Sequence, residues 1–472
     1  MSNHTKFFID GQWVSPITPK TIPVINPATE QAFTEIAVGG AADVGLAVTA
    51  ARNAFATFST TTKEERLALL RRILAVYNER FEDIAAAVSL EMGAPIAFAR
   101  GAQAWSGRAH LESTIEALAS FSFEATRDKT LVVKEPIGVC ALITPWNWPL
   151  NQIVCKVAPA LAAGCTMVLK PSEIAPISGI LFAEVLAAAG TPPGVFNLVN
   201  GTGPDVGQVM ASHPGVDMVS FTGSTRAGVI VAKSAADTVK RVAQELGGKS
   251  ANILLEDADF GVAVTKGVKG CFSNTGQSCD APTRMFVPRA RMAEAMQIAK
   301  ETVALYEAGG ELANALGPLV SKTQFDKVQG YIAGGIEEGA SLVAGGPGKP
   351  EGHSVGYYVR PTVFADVLPD MTISREEIFG PVLSILAYDD EAQAIAMAND
   401  TVYGLAAYVQ SSSIDNARRV ARQLRAGSVY LNYPDWDTRA PFGGYKQSGN
   451  GREYADFGIE DFLEIKGIVG WH

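Results

Sequence analysis

The chain has 472 residues, of which 47% are hydrophobic and 19% charged, a composition that can offset the entropy of ordering and excludes an intrinsically disordered protein. Lys and Arg total 39 against 49 Asp and Glu, a formal charge of −10, and no basic block stands ready to neutralise phosphates, so no nucleic-acid partner is expected. At ~100–200 residues per domain the length suggests about three domains, no apolar stretch reaches the ~20 residues of a bilayer helix, and the N-terminus shows no leader pattern, so a cytoplasmic protein without membrane contact is expected.

In chain order, Phe7 to Val14 reads as a hairpin, because Asp10-Gly11 supplies the positive φ values of a tight primed turn. Helices are expected over Ala41 to Phe58 and Lys63 to Met92, where Leu67, Leu70, Leu74 and Tyr77 recur at helical spacing until Gly93 and Pro95 stop the run. From about Cys140 short apolar runs alternate with helices, at Cys165 to Lys170, Val195 to Val199, Met218 to Phe221 and Val239 to Leu246, the pattern of βαβ units and a parallel sheet. A second series begins at Asn252 to Leu255 and continues through Met285 to Val287, Val382 to Tyr388, Ala406 to Gln410 and Ser428 to Asn432, with a boundary near Gly247-Gly248. The tail after Gly443 is Gly-rich and then β-like at Ile465 to Val469. That segment suits pairing with Leu131 to Val133 in a projecting two-stranded ribbon, whose open edges invite subunit association.

Five cysteines without a Cys-x-x-Cys pair and five scattered histidines fit a reducing compartment and suggest neither a metal site nor a Ser-His-Asp hydrolase. Cys140, Cys155, Cys165 and Cys271 read as small buried hydrophobes. Cys279 differs: in Gly276-Gln277-Ser278-Cys279-Asp280 its neighbours are small and polar, leaving room for a substrate, so a nucleophile and a buried thiol stand about even.

Glu245 closes an apolar strand just before Gly247-Gly248. It either points into water or, desolvated at a strand end where ligands collect, serves as a base. In Pro145-Trp146-Asn147-Trp148-Pro149 the last residue suits the first position of a helix, and Asn147 is either that helix's cap or an oxyanion donor. No Gly-x-Gly-x-x-Gly is present; Gly201 to Gly207 has one residue too many. Phe221-Thr222-Gly223-Ser224-Thr225 offers a strand end and a helix N-terminus to a phosphate, and Lys170-Pro171-Ser172-Glu173 sets a cation and an acid where a ribose could lie. A solvated loop is the alternative for both.

Together and in order, Pro145-Trp146-Asn147, Lys170-Pro171-Ser172-Glu173, Phe221-Thr222-Gly223-Ser224, Glu245-Leu246-Gly247-Gly248, Gly276-Gln277-Ser278-Cys279, Glu376-Glu377-Ile378-Phe379-Gly380-Pro381 and Pro441-Phe442-Gly443-Gly444 resemble the aldehyde dehydrogenase superfamily over nearly the whole chain. The resemblance implies an α/β fold: a Rossmann-like cofactor domain (1–123 and 142–246), an α/β catalytic domain (247–435), and bridging or oligomerisation segments (124–141 and 436–472) in a homodimer or homotetramer.

It also implies roles. Cys279 would be the nucleophile, Glu245 the general base, and Asn147 the oxyanion donor beside the backbone N–H of Cys279. Lys170 and Glu173 would hold the adenosine ribose, Gly223 and Ser224 the pyrophosphate, and Glu377 and Phe379 the nicotinamide ribose and ring, with Trp146 alongside. The implied reaction is oxidation of an aldehyde to its acid through a thiohemiacetal and a thioester. A catalytically silent protein of the same fold and a thiol esterase are the alternatives. Glu245 favours hydrolysis over acyl transfer to coenzyme A, and Glu173 favours NAD over NADP, although Lys170 could still attract a 2′-phosphate.

Trp148, Asn151, Gln152 and Cys155 share one helix face that the resemblance puts along the aldehyde entry, with Cys155 equally suited to helix packing. Trp436 and Phe442 are expected to close the pocket, which suits a medium-sized or aromatic aldehyde. Asp280 is expected to face away; turned inward, it would raise the Cys279 pKa and disfavour anionic substrates.

Overall fold

In the computed structural model residues 3–310 and 315–472 are described; the N-terminal reading falls partly on Met1 and Ser2, outside them. Among the described residues no helix is long and apolar enough to cross a membrane.

Two mainly parallel sheets carry the architecture. The first is built on strands β1 (Val139–Ile143), β2 (Thr166–Lys170), β3 (Phe196–Leu198), β4 (Met218–Thr222) and β5 (Arg241–Glu245), in the order β3-β2-β1-β4-β5. All four of these pairings are parallel. Both faces are buried, because successive side chains alternate: Cys140 and Leu142 enter one apolar cluster, Val139, Ala141 and Ile143 the other. This explains the uninterrupted apolar runs of the sequence. The chain runs outward from β1 to β3 and then returns to place β4 on the other side of β1, so a topological switch point lies between β1 and β4, where crevices form in such sheets.

The N-terminal hairpin adds Phe7–Ile9 and Gln12–Val14 to the β3 edge. Asp10 (φ 52°) and Gly11 (φ 75°) take the left-handed values expected of a primed turn.

The second sheet uses β6 (Ala251–Leu254), β7 (Arg284–Pro288), β8 (Thr362–Ala365), β9 (Val382–Tyr388), β10 (Ala406–Gln410) and β11 (Ser428–Leu431), in the order β8-β9-β7-β6-β10-β11, with Ser341–Ala344 antiparallel at the β8 edge. Its two faces are likewise separate cores, Ile253 and Phe286 on one, Leu254, Met285 and Val287 on the other. The strands Ser341–Ala344 and β8, and the hairpin Thr21–Asn26 with Gln31–Ala37, were not among the expected elements.

Three expectations change in detail. The helical run from Lys63 breaks at Arg80, whose backbone leaves the helical region (φ −99°, ψ 9°) and whose guanidinium binds Asp83 and Glu184. The ribbon has three strands: Leu463–Val469 pairs with Thr130–Pro136 with Ile468 opposite Leu131, and Glu124–Arg127 closes the other edge. The tail also contains a helix, Ala455–Asp461, which the glycine-rich texture before it concealed.

What positions the site is how the sheets meet. The carboxyl ends of β2, β1, β4 and β5 finish in step, with Lys170 opposite Ile143, Ile143 opposite Phe221 and Thr222 opposite Glu245. The chain then crosses through Gly247-Gly248 to the amino end of β6. Cys279 precedes the amino end of β7, and Glu377 and Phe379 precede that of β9. The carboxyl edge of one sheet therefore faces the amino edge of the other.

Gly248 sits at the closest approach: a Cβ there would overlap the carbonyl oxygen of Cys279. Gly248→Ala should therefore displace the Cys279 turn, costing about 1–3 kcal/mol of stability as small-to-large changes at packed sites do. The chain should remain folded by circular dichroism with a lowered Tm and with Cys279 less reactive toward a thiol reagent.

Candidate active site

Helix α1 (Pro149–Ala163) is buried along its whole length. Pro149 holds its first position, as its fixed φ favours, and Gly164 (φ 94°) ends it in the left-handed region. The cap is Trp148, with no side-chain cap bond, so the cap reading of Asn147 is corrected. Asn147 Nδ2 instead donates to the carbonyl of Gln277 at 3.0 Å, two residues before Cys279. Its own carbonyl accepts from Gln103 Nε2 at 3.0 Å and Asn274 Nδ2 at 2.9 Å. Trp148 Nε1 donates to Ser278 Oγ at 2.8 Å. The segment before α1 and the turn carrying Cys279 are thus tied by side-chain bonds to the two residues that precede the thiol.

Cys279 is half-buried and borders two cavities. One, of about 360 Å³, is walled by Trp148, Asn151, Gln152, Trp436 and Phe442, all named from the sequence. It is also walled by Trp105, Tyr408, Tyr433 and Tyr454, which were not, since they come from segments far apart in the chain. Cys155 does not border it. That thiol lies behind the wall, within 3.3 Å of Glu453 Oε2 and packed with Leu405, Phe442 and Tyr454, because α1 turns this flank toward the core.

Behind the wall too is His110, its ring 5.2 Å from that of Trp436 and 4.4 Å from that of Tyr454. Burial holds its pKa down to about 3, and it hydrogen-bonds the Asn151 side chain.

The other cavity, of about 190 Å³, lies at the switch point between β1 and β4. Trp146, Asn147, Gly223, Ser224, Glu377 and Phe379 border it. The Trp146 and Phe379 rings meet edge to face at 5.4 Å. Phe379 is held at φ 63°, its carbonyl fixed by Gln324 Nε2 at 2.7 Å. Glu377 Oε1 accepts from the Gly248 N–H at 3.0 Å, and a Cβ on Gly247 would strike the Glu377 carboxylate. The glycines thus keep open a cradle that a side chain would fill.

Ser224 caps the helix Thr225–Ala235 by accepting from the Ala227 N–H, which leaves its O–H free to donate. The rest of that helix start suits an anion. At the end of β2 the buried Lys170 donates to Glu173 Oε2 at 2.9 Å and to the Pro171 carbonyl at 3.0 Å. These residues fit a dinucleotide laid across the carboxyl edge, from Lys170 and Glu173 through Gly223 to Glu377 and Phe379. Among the described residues no group of His, Cys, Asp or Glu side chains is placed to hold a metal ion.

Glu245 is buried at the end of β5, and neither cavity reaches it. Its Oε2 has no hydrogen-bond partner. Burial first, then the nearby Glu453, push its carboxyl well above the usual range, against Lys156 and Arg452, which lower it. Lys156, on α1, forms a buried ion pair with Glu453. Neither residue was singled out in the sequence, where they stand 297 positions apart.

Asp280 lines the larger cavity, which corrects the expectation that it faces away. Its backbone turns back under Tyr408, whose hydroxyl donates to the Asp280 carbonyl at 3.2 Å. Removal from solvent pushes the Cys279 thiol well above its ordinary pKa, and Asp280, Glu377 and Glu245 push the same way.

The sequence model described as Aldehyde dehydrogenase family matches residues 13–468. The chain is 53% identical over 474 residues to a 3-succinoylsemialdehyde-pyridine dehydrogenase from a Pseudomonas species, covering 100% of this chain and 99% of that one. A mutant of aldehyde dehydrogenase C from Pseudomonas syringae, solved with NAD+ and octanal, is similar at 55% identity and a TM-score of 0.99, covering 100% of this chain and 97% of that one. A Mycobacterium tuberculosis aldehyde dehydrogenase solved with NAD+ is 40% identical with a TM-score of 0.96, covering 99% and 98%. The chain belongs to the aldehyde dehydrogenase family.

With the thiol pKa raised, thiolate forms only as pH rises past the ordinary thiol range, so alkylation of Cys279 by iodoacetamide should be slow at neutral pH and climb in alkali. Asp280→Asn removes one negative neighbour and should shift that rise to lower pH. An unchanged profile would remove Asp280 as a cause.

Proposed function

We propose that the chain oxidises an aldehyde to its carboxylic acid with NAD as hydride acceptor and Cys279 as nucleophile. One observation carries the reading: Cys279 is the residue common to the walls of an aromatic cavity and of a crevice at the switch point of a parallel sheet. A group so placed can hold an aldehyde on one side and meet a cofactor on the other. The family membership and the NAD complexes of relatives support the same reaction.

In this mechanism the Cys279 thiolate adds to the aldehyde carbon, and the resulting oxyanion is held by Asn147 Nδ2 and the backbone N–H of Cys279. Asn147 has one N–H fixed on the Gln277 carbonyl, so its amide is oriented before substrate arrives and the other N–H is left for the oxyanion. When bound, NAD supplies the acceptor for the hydride that leaves the adduct carbon, so that a thioester remains on Cys279. Glu245 then takes a proton from water, which attacks the thioester and releases the acid. For that step its carboxyl swings out from beside Gly443 and the Lys156–Glu453 pair. Its raised pKa makes it a stronger base at neutral pH than an exposed carboxylate.

Lys170 and Glu173 hold the adenosine ribose, Gly223 and the helix start at Ser224 the pyrophosphate, and Glu377 and Phe379, with Trp146, the nicotinamide half. The Lys170 charge is offset by Glu173, which favours NAD over NADP. The division into a cofactor-binding part (1–123 and 142–246), a catalytic part (247–435) and bridging segments (124–141 and 436–472) belongs to this reading, supported by the two separate sheets. So does a homodimer or homotetramer, supported by the exposed three-stranded ribbon. The aromatic wall suits medium-sized or aromatic aldehydes, in keeping with the octanal and pyridine-semialdehyde names of the relatives.

The test is absorbance of the reduced nicotinamide with NAD and a panel of aldehydes. The wild type should reduce NAD and Cys279→Ala should not; a folded protein that reduces none of the panel would defeat the reading. Glu173→Gln frees Lys170 for a 2′-phosphate and should raise the NADP-to-NAD ratio of kcat/KM by about tenfold.

A further inference from the structure

The larger cavity is electrostatically one-sided. Seven of its wall residues are aromatic, Asp280 is the one carboxylate among them, and no Lys, Arg or His borders it. Among the described residues no cation forms an ion pair with Asp280, and its carboxylate takes a hydrogen bond from its own backbone N–H. The groups that face it are the Cys279 thiol and the phenols of Tyr408, Tyr430 and Tyr454, none of them a counter-charge. On α1, the Gln152 amide oxygen is a second acceptor, buried on the same wall and without a partner.

A half-buried carboxylate with no counter-charge beside it is costly, and a bound cation offsets that cost. The aromatic faces add to the attraction, since each carries a negative π surface. A carboxylate-tailed aldehyde finds no cation here and is repelled by Asp280, and a neutral one gains nothing from it.

Resting on the dehydrogenase reading above, we propose that Asp280 and the aromatic wall select aldehydes whose far end carries a positively charged nitrogen, an ammonium or an alkylpyridinium. Asp280 is then a specificity-determining residue placed one position from the nucleophile. The substrate's charge also neutralises a group that otherwise opposes thiolate formation at Cys279, so a cationic substrate favours the ionised form of the nucleophile that attacks it.

The experiment compares kcat/KM for three aldehydes of equal length, ending in a trimethylammonium, a shape-matched tert-butyl and a carboxylate group. The wild type should favour the cation over the neutral analogue by about tenfold or more, with the carboxylate poorest. In Asp280→Asn the cation-to-neutral ratio should fall toward one, while Asp280→Glu should retain a preference.

A wild-type ratio near one overturns the proposal, as does a ratio that survives in D280N. The wild-type arm is read without any variant, so a misfolded D280N leaves it standing. If no aldehyde reduces NAD, the dehydrogenase reading fails separately, and Asp280 is then read by binding. Tetramethylammonium should quench the tryptophan fluorescence of the wild type, through Trp105, Trp148 and Trp436, and not that of D280N. No quenching in the wild type, or equal quenching in both, overturns it.

Discussion

No side chain fits between Gly248 and the carbonyl of Cys279, and the rest of the site depends on that closeness. The carboxyl edge of the first sheet collects what can hold a dinucleotide. The amino edge of the second presents the thiol, Glu377 and Phe379. Each edge alone is a row of loops. Brought together through Gly247-Gly248, they make a cleft in which the Gly248 N–H meets Glu377 and the Cys279 turn borders both cavities. Hydrogen bonds then fix what the glycines bring near, Asn147 on Gln277 and Trp148 on Ser278 on the turn itself.

The charges of the cleft follow from the same geometry. Glu245, Glu377 and Asp280 act together on a half-buried thiol, and all three oppose its ionisation. A resting site so arranged keeps Cys279 protonated and unreactive toward stray electrophiles. Reactivity then depends on ligands that bring positive charge or on a base that removes the proton. The Lys156–Glu453 pair lies near Glu245 and acts on its carboxyl in opposite senses, Glu453 raising its pKa and Lys156 lowering it.

Much of this was legible in the sequence, and the reasons are local. The Asp10-Gly11 turn, the Pro149 helix start and the strands Val382–Tyr388 and Ala406–Gln410 are set by short-range backbone preferences and by burial on both sheet faces, which leave uninterrupted apolar runs. The order of motifs carried the family. What was hidden depends on long-range closure. Lys156 and Glu453 are unremarkable residues until folding joins them, and nothing beside Tyr408 or Tyr454 in the sequence sets either apart. The direction of Asp280 is decided by a turn whose shape is fixed by a bond from Tyr408, which no spacing encodes.

His110 gives the pocket a property that its chemistry would not suggest. An imidazole pressed between Trp436 and Tyr454 with its pKa held near 3 stays uncharged throughout the range in which a free histidine titrates. At His110, therefore, the packing behind the wall carries no charge that titrates near neutrality. Acidity can change the cleft through its carboxyls and its thiol, while the shape and polarity of the aromatic lining persist. The packing behind the pocket therefore holds across changes in surrounding pH, and only Asp280 and Cys279 on the pocket itself carry that change to the substrate.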